Sequence, residues 1–225
     1  MREKALVVLS GGQDSTTCLY WAIGRFGRNA VTSLTFDYGQ RHRVELDSAR
    51  NVAAAAGVAN VVLPIDTFAA LPGNALTDPA VEIPEGATDE QALPATFVPG
   101  RNLVFLTFAA AYAWPRQIDN LVTGVAQTDY SGYPDCRRAT IDALEKTLEL
   151  GMERRFIIHT PLMHLSKKET VLLAKDVGAL EAMALTHTCY KGLRPPCGVC
   201  AACILRARGF AEAGVPDPLM AIRGI

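Results

Sequence analysis

The sequence lacks the features that mark membrane proteins, exported proteins and proteins that coat nucleic acid. Its 22 lysine and arginine residues are balanced by 23 aspartate and glutamate residues, so the net charge is only −1. The longest apolar run, 103–114, has 12 residues and is too short to cross a bilayer. Only five apolar residues separate the charged start of the chain from Ser10, too few for a signal peptide. We therefore expect a cytoplasmic protein with neither a membrane nor a nucleic-acid partner.

Cysteine is scarce except near the C-terminus, where four of the six cysteines fall within 15 residues. A secreted disulfide framework would spread its cysteines along the chain, so the cluster indicates a metal site. A closed set of four thiolates is typical of one structural zinc ion, because it leaves no position for water. An iron–sulfur cluster is the alternative, since its ligands also occur in C-x2-C-x2-C spacing. The predicted metal ligands are Cys189, Cys197, Cys200 and Cys203.

Apolar, β-branched runs alternate with segments of helical periodicity, which predicts an α/β fold. We expect an open, parallel, five-stranded Rossmann-like sheet with helices on both faces. Gly57 and Gly151 are expected to end the second and fourth helices, and Ser166 with Glu169 to form a capping box at the fifth. The expected strands are 5–9, 31–36, 61–65, 120–124 and 156–159, and the expected helices are 14–26, 41–56, 101–114, 135–150 and 166–176.

One stretch, 66–98, interrupts this alternation. It contains four prolines, six acidic residues and no basic residue. Long loops without secondary structure in compact domains are often lids, so the stretch is either a surface excursion or a flap over the sheet edge.

The turn between the first strand and the first helix has the composition of an anion site. Gly11 and Gly12 let the backbone approach a ligand closely, while the hydroxyls of Ser10 and Ser15 and the start of the helix favour an anion. The turn is neither a GxxxxGK[ST] loop nor a GxGxxG loop. Its place after the first strand of a parallel sheet is where ligands bind in such folds.

This turn, Ser-Gly-Gly-Gln-Asp-Ser, resembles the pyrophosphate loop of the adenylating ATP pyrophosphatases, whose fold is adenine nucleotide α-hydrolase-like. Segments 36–42, 97–102, 129–137 and 160–162, together with the cysteine cluster, resemble the 7-cyano-7-deazaguanine synthase (QueC) family. They occur in that family's order and cover nearly the whole chain. The resemblance implies a nucleotide-binding α/β domain, 1–185, that carries the acidic loop 66–98, and a zinc-binding segment, 186–225, packed on it.

The resemblance also implies an ATP-dependent carbon–nitrogen ligase of queuosine biosynthesis. It would convert 7-carboxy-7-deazaguanine and ammonia to 7-cyano-7-deazaguanine (preQ0) through adenylated carboxylate and amide intermediates. Mg²⁺ would accompany the ATP, and a homodimer is the default assembly. The first alternative is a tRNA-modifying thiolase (sulfurtransferase) of the same superfamily, which would need a basic face. The second is a zinc-ribbon module that binds nucleic acid, against which the intact phosphate loop argues.

Candidate site residues follow from these patterns and from the resemblance. Arg101, Lys167 and Lys168 stand in the first turns of helices, where a cation is unfavourable unless an anion lies nearby. One of the two lysines is expected to neutralise the α-phosphate, and the sequence leaves open which one. A deazaguanine presents two adjacent N–H donors that a carboxylate accepts, and tyrosine rings can stack on it. Asp135 is equally well placed to cap a helix, and Arg137 could pair with a carboxylate or with the α-phosphate. The catalytic candidates are Asp14, Ser15, Arg101 and Lys167; the ATP-binding candidates are Leu9, Ser10, Gly11, Gly12, Gln13, Asp14, Ser15, Thr16, Thr17, Cys18 and Leu19; the substrate-binding candidates are Gln40, Arg41, His42, Asp129, Tyr130, Tyr133, Asp135 and Arg137.

Overall fold

A computed structural model describes residues 3–71, 73–78, 80–86, 93–128 and 133–221. Within these ranges, five strands form one parallel sheet in the order β3-β2-β1-β4-β5. The central strand is buried on both faces, as in other parallel sheets: Leu6 pairs with Thr32 on one side and with Leu121 on the other. The predicted α/β sheet is therefore confirmed. The strands are β1 (Ala5–Val8), β2 (Val31–Asp37), β3 (Ala59–Pro64), β4 (Asn120–Val122) and β5 (Ile157–His159).

Helices cover both faces of the sheet. One core joins residues such as Leu6 and Phe36 to the third and fourth helices, and the other joins Val7 to Leu19 and Val52 of the first two. The described helices are α1 (Gln13–Phe26), α2 (Val44–Ala56), α3 (Arg101–Ala113), α4 (Arg138–Met152), α5 (Lys167–Asp176), α6 (Ala201–Ala213) and α7 (Pro218–Ala221). None of the described helices is long and apolar enough to cross a membrane.

The topology places a crevice beside β1. The chain moves outward from β1 through β2 to β3 and then returns to β4 on the other side, so the connections diverge at the carboxyl ends of β1 and β4. The start of α1 approaches β4 closely, because a Cβ on Gly124 would lie 3.1 Å from the backbone of Asp14 and Ser15. Glycine at 124 thus lets the phosphate loop sit against the end of β4.

Two helices, α2 and α4, differ from their predicted boundaries by more than one residue. α2 begins at Val44 rather than 41, because the preceding backbone is tied elsewhere: the Arg41 N–H donates to Leu76 O at 2.8 Å. α4 begins at Arg138, after a 3-10 turn at Pro134–Cys136, and continues through Gly151 to Met152. Gly151 keeps helical geometry, and Glu153 takes the left-handed conformation that ends the helix, with φ 48°.

Two predicted helix termini, the end of α2 and the start of α5, are confirmed. Gly57 follows α2 in the left-handed conformation, with φ 65°, and its N–H bonds to carbonyls of the last turn. Ser166 and Glu169 form the reciprocal capping box of α5.

Two features were not predicted from the sequence: helix α6, and the packing of the acidic loop 66–98 into the core. Helix α6 was not predicted, because its buried face includes Arg206 and Gly209 and so breaks the apolar pattern. The described part of 66–98 is more than a surface excursion, since Phe68 and Leu76 enter the core. Its Glu85 pairs with Lys191 at 2.6 Å, which ties the loop to the cysteine-bearing segment.

Candidate functional site

A cavity of about 270 Å³ opens at the carboxyl ends of β1, β2 and β4. Its walls also include the first turns of α3 and α5 and part of the C-terminal segment, so several distant parts of the chain meet there. Six of the predicted ATP-binding residues line it: Leu9, Ser10, Gly12, Gln13, Asp14 and Ser15. The other five are not among the described lining residues: Gly11 packs on α2, and Thr16, Thr17, Cys18 and Leu19 are buried within α1.

The phosphate loop is held in shape by its own hydroxyls. Ser15 Oγ accepts from Ser10 N at 3.2 Å and lies 3.0 Å from Ser10 Oγ, and it donates to Gly12 O at 3.1 Å. Thr16 Oγ1 also donates to Gly12 O, at 2.8 Å. The first N–H groups of α1 have no acceptor within the helix, so they are available to an anion at this end of the cavity.

Glycine is required at one position of the loop by its neighbour α2. Gly11 has φ +84°, and a Cβ there would lie 2.6 Å from Ala49 N and from Glu45 O. Both atoms belong to the α2 backbone, so no side chain can be accommodated. The loop therefore rests directly on α2.

Lys167 and Asp14 form an ion pair within the cavity wall. The Lys167 Nζ donates to Asp14 Oδ2 at 2.7 Å, and both side chains are largely buried. Asp14 Oδ1 and Gln13 Oε1 are buried and have no hydrogen-bond partner among the described residues. Gln13, Asp14 and Lys167 all line the cavity, so two unpartnered oxygen acceptors and a lysine lie beside the phosphate loop. Of the two candidate lysines, Lys167 lines the cavity, whereas Lys168 is exposed outside it.

The other end of the cavity is aromatic and contains Arg101. Its guanidinium lies 5.8 Å from the ring centre of Tyr38, and Nη1 donates to the Tyr38 hydroxyl at 3.4 Å. Burial raises the pKa of Tyr38 to about 12, although the charge of Arg101 acts in the opposite direction, so this phenol stays neutral. Phe105 packs against Tyr38 at 5.2 Å, and Tyr133 and Tyr190 also line this end.

Glu45, which was not predicted from sequence, also lines this end of the cavity. Burial raises the pKa of its carboxyl group to about 7, and the nearby charge of Arg101 only partly offsets that effect. No described residue gives this carboxylate a hydrogen bond or an ion pair. In sequence it resembles an ordinary acidic residue in the first turn of a helix, where negative charge is favourable. Its position in the cavity depends on the packing of α2 against the loop.

The predicted substrate-binding residues divide into three groups. Gln40 and Tyr133 line the cavity, although the Gln40 amide closes the turn after β2 and the Tyr133 hydroxyl pairs with Thr96 Oγ1 at 2.8 Å. Asp129 and Tyr130 lie outside the described residues. Arg41, His42, Asp135 and Arg137 are described but are not among the residues that line the cavity.

Each of the residues outside the cavity wall has another local environment. Arg41 donates to Val81 O at 3.2 Å and so holds the acidic loop. The His42 ring occupies the space beside Gly192, where a Cβ would lie 2.2 Å away, and its pKa is lowered by partial burial and by Arg41. Arg137 is exposed at the start of α4.

Asp135 serves as a helix cap, but not for the helix expected from sequence. Its Oδ2 accepts the backbone N–H of Asn102 at 3.0 Å, in the first turn of α3, and its Oδ1 faces Cys136 Sγ. The expectation that it caps the helix beginning at 135 is corrected, because α4 starts later and α3 lies opposite the turn. Its carboxylate is thereby used within the fold.

The four predicted metal ligands come together. One sulfur from each lies within 4.8 Å of the others, and Cys197 Sγ is 3.9 Å from Cys203 Sγ. Backbone N–H groups point at two of the sulfurs: Cys197 N donates to Cys189 Sγ and Cys200 N to Cys197 Sγ, each at 3.4 Å. This arrangement suits a metal that binds four thiolates, because the N–H dipoles stabilise the negative sulfurs.

His187 joins this cysteine cluster to the phosphate loop. Its backbone N–H donates to Gly11 O at 2.9 Å, and its ring Nε2 is 2.9 Å from Cys189 O. A Cβ on Gly12 would lie 3.5 Å from His187 O, so the two segments are in contact. The spacing of His187 from the cysteines gave no indication of this link from sequence.

Comparison with known proteins gives consistent matches over nearly the whole chain. The family model described as queuosine biosynthesis protein QueC matches residues 4–214. A 7-cyano-7-deazaguanine synthase from Chromobacterium violaceum is 71% identical over 218 residues, which cover 97% of this chain and 93% of that protein. The 7-cyano-7-deazaguanine synthase from Laribacter hongkongensis is 66% identical and covers 97% and 94%, respectively.

Among solved structures, the U34-tRNA thiolase NcsA from Methanococcus maripaludis, with its [4Fe-4S] cluster, is similar at a TM-score of 0.51. The likeness covers 99% of this chain and 68% of that one, at 16% sequence identity. At this identity, it shows a shared fold and nothing about substrate or cluster.

Proposed function

The chain belongs to the family of the queuosine biosynthesis protein QueC, and from this membership we propose that it catalyses the ATP-dependent formation of 7-cyano-7-deazaguanine. It is an ATP-dependent ligase of queuosine biosynthesis. The observation that carries this conclusion is 66–71% identity to proteins named for that synthase across almost the full chain. The thiolase alternative has less support, since it rests on a likeness of fold alone.

The reaction consists of two activations by ATP. In the first, a carboxylate oxygen of 7-carboxy-7-deazaguanine attacks the α-phosphorus and pyrophosphate leaves, giving an acyl adenylate. Ammonia then attacks the acyl carbon and AMP leaves, giving the primary amide. In the second activation, the amide oxygen attacks the α-phosphorus of another ATP and pyrophosphate leaves. Loss of AMP and a proton from the adenylated amide completes the nitrile.

The residues of the cavity divide between the two substrates. We assign the pyrophosphate to the N–H groups at the start of α1 and to the Ser10 and Ser15 hydroxyls, which the loop already holds together. Lys167 lies beside this group through its pair with Asp14 and would neutralise charge that develops at the α-phosphorus. Arg101, at the aromatic end, would face the carboxylate that is activated.

Mg²⁺ is proposed as the companion of ATP. Asp14 Oδ1 and Gln13 Oε1 are buried oxygens without a partner among the described residues, and hard oxygen donors are the ligands that Mg²⁺ prefers. When bound, Mg²⁺ would neutralise phosphate charge and polarise the phosphoryl oxygens.

For the cysteine site, we propose one structural zinc ion. A Zn–S bond of about 2.3 Å at tetrahedral angles places sulfurs about 3.8 Å apart. The 3.9 Å between Cys197 Sγ and Cys203 Sγ agrees with that spacing. A four-iron cluster would hold its cysteine sulfurs further apart, because each binds a different iron. Metal analysis of purified protein separates the two: zinc at one per chain supports the proposal, and iron with acid-labile sulfide contradicts it.

Three further expectations remain proposals: a cytoplasmic location, a homodimer, and the absence of a nucleic-acid partner. The near-zero net charge supports the last.

The function is tested by mass spectrometry of a reaction with ATP, ammonium and 7-carboxy-7-deazaguanine. We expect the primary amide to appear first and the nitrile afterwards, with two AMP formed per nitrile. As a control, the purified amide with ATP but without ammonium should yield nitrile and one AMP. Failure of the folded, metal-loaded protein to turn over either compound would contradict the assigned substrate, and tRNA would then be assayed for thiolation.

A further inference from the structure

Glu45 lines the cavity but has no role in the two activations by ATP. It lines the same cavity as Arg101 and Tyr38. Its charge contributes to the raised pKa of Tyr38, and the charge of Arg101 acts on the pKa of Glu45 itself, which agrees with this proximity. It makes no ion pair with Arg101, and no described residue hydrogen-bonds it. The carboxylate is partly exposed in the cavity, so a ligand that displaces water from it must supply N–H donors in its place.

The surroundings of Glu45 limit what that ligand can be. Tyr38, Phe105, Tyr133 and Tyr190 line the same cavity, and their flat apolar faces suit a planar heterocycle. Phe105 is held rigidly, since it stacks on Phe36 with a ring separation of 4.4 Å. An ammonium ion would be repelled by the nearby guanidinium of Arg101. The site therefore fits a flat ring with N–H donors at one edge and negative charge elsewhere.

The carboxylates first considered for this role do not supply it in the described structure. The Asp135 Oδ2 accepts the backbone N–H of Asn102 at the start of α3, and Asp135 does not line the cavity. Asp129 lies outside the described residues. Among described residues, Glu45 and Asp14 are the acidic side chains on the cavity wall, and Asp14 is paired with Lys167 at the phosphate end.

We propose that Glu45 determines substrate specificity by accepting the ring N–H and the adjacent amino group of the deazaguanine. The inference rests on the proposed function and adds the orientation of its substrate. With its donor edge on Glu45, the ring would lie between the aromatic side chains, and its carboxylate would extend toward Arg101. A bidentate pair of this kind rejects rings that lack the amino group, because one carboxylate oxygen is then left without a donor.

The test compares binding of two probes to three proteins by calorimetry, with a non-hydrolysable ATP analogue present. The probes are 7-carboxy-7-deazaguanine and its counterpart without the amino group. The proteins are the wild type, Glu45→Gln, and Asp47→Asn as a matched control, because Asp47 is an exposed carboxylate of the same helix turn. We expect the wild type and Asp47→Asn to prefer the amino-bearing probe by about tenfold or more. Glu45→Gln should bind that probe at least about tenfold more weakly and lose the preference.

Each other outcome has a defined meaning. Retention of the tenfold preference by Glu45→Gln would overturn the assignment. So would a variant that binds the deazaguanine normally but the ATP analogue weakly, since Glu45 would then belong to the nucleotide. Failure of the wild type to bind either probe would instead count against the proposed function. A melting temperature for Glu45→Gln equal to or above that of the wild type establishes that a lost affinity is not a folding defect.

Discussion

Lys167 and Lys168 are adjacent in sequence, yet the fold gives them different surroundings. Lys167 reaches the cavity and pairs with Asp14 at 2.7 Å, whereas Lys168 is exposed on the outer side of α5. Both occupy a helix turn where positive charge is unfavourable without an anion. The Asp14 carboxylate supplies that anion for Lys167, and the same position beside the phosphate loop would suit the charge of a bound phosphate.

Substitution tests this difference directly. Lys167→Met should lower kcat for amide formation by about 100-fold or more, because a preorganised cation is lost from the reacting phosphate. Lys168→Met serves as the matched control and should stay within about twofold of the wild type. The measurement is single-turnover formation of AMP with saturating substrates. Equal rates for the two variants would remove Lys167 from the reaction.

The carboxyl group of Glu45 gives substrate binding a specific pH dependence. Its pKa of about 7 in the free protein means that the carboxylate is formed above this pH, and only the carboxylate accepts two N–H donors. Affinity for the deazaguanine should therefore be constant above pH 8 and fall by up to tenfold per pH unit below pH 7. Arg101 and Tyr38, which face this group, do not change charge in that range.

Glu45→Gln is the control for this profile, because its amide does not titrate. The variant should bind the deazaguanine weakly at every pH from 6 to 8.5, without the decline at low pH.

The free energy of unfolding of the wild type should change in the opposite direction to its affinity. A carboxyl group whose pKa is raised by folding destabilises the fold as pH rises from its unfolded pKa through about 7. At pH 8, the variant should consequently melt no lower than the wild type. If the affinity of Glu45→Gln for the deazaguanine still declined below pH 7, the role of the Glu45 carboxylate in binding would be contradicted.

At the scale of helices and strands, local patterns were sufficient wherever the determining contacts are local. The phosphate loop and the capping box of α5 each lie within a few residues of sequence, and both are where they were expected. Helix α6 could not be found in this way. Its buried face includes Arg206, whose partner Asp217 and packing neighbours belong to other elements, so the apolar periodicity is broken.

The site residues show the same division. Asp135 and Glu45 both belong to helix starts in the sequence, where an acidic residue is typical. Only the packing of α3 against the turn at Pro134–Cys136 occupies Asp135, and only the packing of α2 on Gly11 brings Glu45 to the cavity. Contacts between elements far apart in the chain decide which carboxylate faces the ligand, and sequence periodicity does not contain that information.

His187 links the cysteine-bearing segment to the phosphate loop through hydrogen bonds to Cys189 O and Gly11 O. Loss of the proposed metal tests whether this link transmits to nucleotide binding. Cys200→Ser should lose the metal, lower the melting temperature by about 10 °C and weaken binding of the ATP analogue, because the chain that fixes Gly11 O is released. The readouts are metal content, thermal unfolding and calorimetric nucleotide affinity. Cys18→Ala is the control, since this buried thiol lies outside the cluster and should leave the metal content unchanged. Normal nucleotide affinity in metal-free Cys200→Ser would contradict the coupling.

At the scale of the whole molecule, the C-terminal segment is part of the same packed structure as the sheet. Helix α6 lies so close to α5 that a Cβ on Gly209 would be 2.9 Å from Lys167 Cβ. Phe210 packs with Val171 and Ala174 of α5, and Ala202 and Leu205 of α6 line the cavity. The predicted division at 185 and 186 therefore separates two parts that share a core and a ligand site.

Arg206 holds the C-terminal segment together and reaches the preceding part of the chain through Met183 O, to which it donates at 3.2 Å. It is only 4% exposed, forms an ion pair with Asp217 at 2.6 Å, and donates to the hydroxyls of Thr186 and Thr188. Its removal would leave the largely buried Asp217 carboxylate without its counter-charge and with only the Leu219 N–H as donor, which costs about 3–5 kcal/mol. Substitution of Arg206 by Met should accordingly destabilise the whole chain, while Arg208→Met, at an exposed i,i+4 pair with Glu212, should cost less than about 0.5 kcal/mol.

If the segment and the sheet form one cooperative unit, the full metal-loaded chain should unfold in a single calorimetric transition with equal calorimetric and van't Hoff enthalpies. Arg206→Met should then shift that one transition downward without splitting it, because the loss is transmitted through the shared core to both parts. An independent segment would behave differently: Arg206→Met would produce an early transition that carries the metal release, followed by an unchanged later transition of the sheet. Calorimetry with simultaneous detection of released metal distinguishes the two, and the separate early transition would establish 1–185 as a domain that folds by itself.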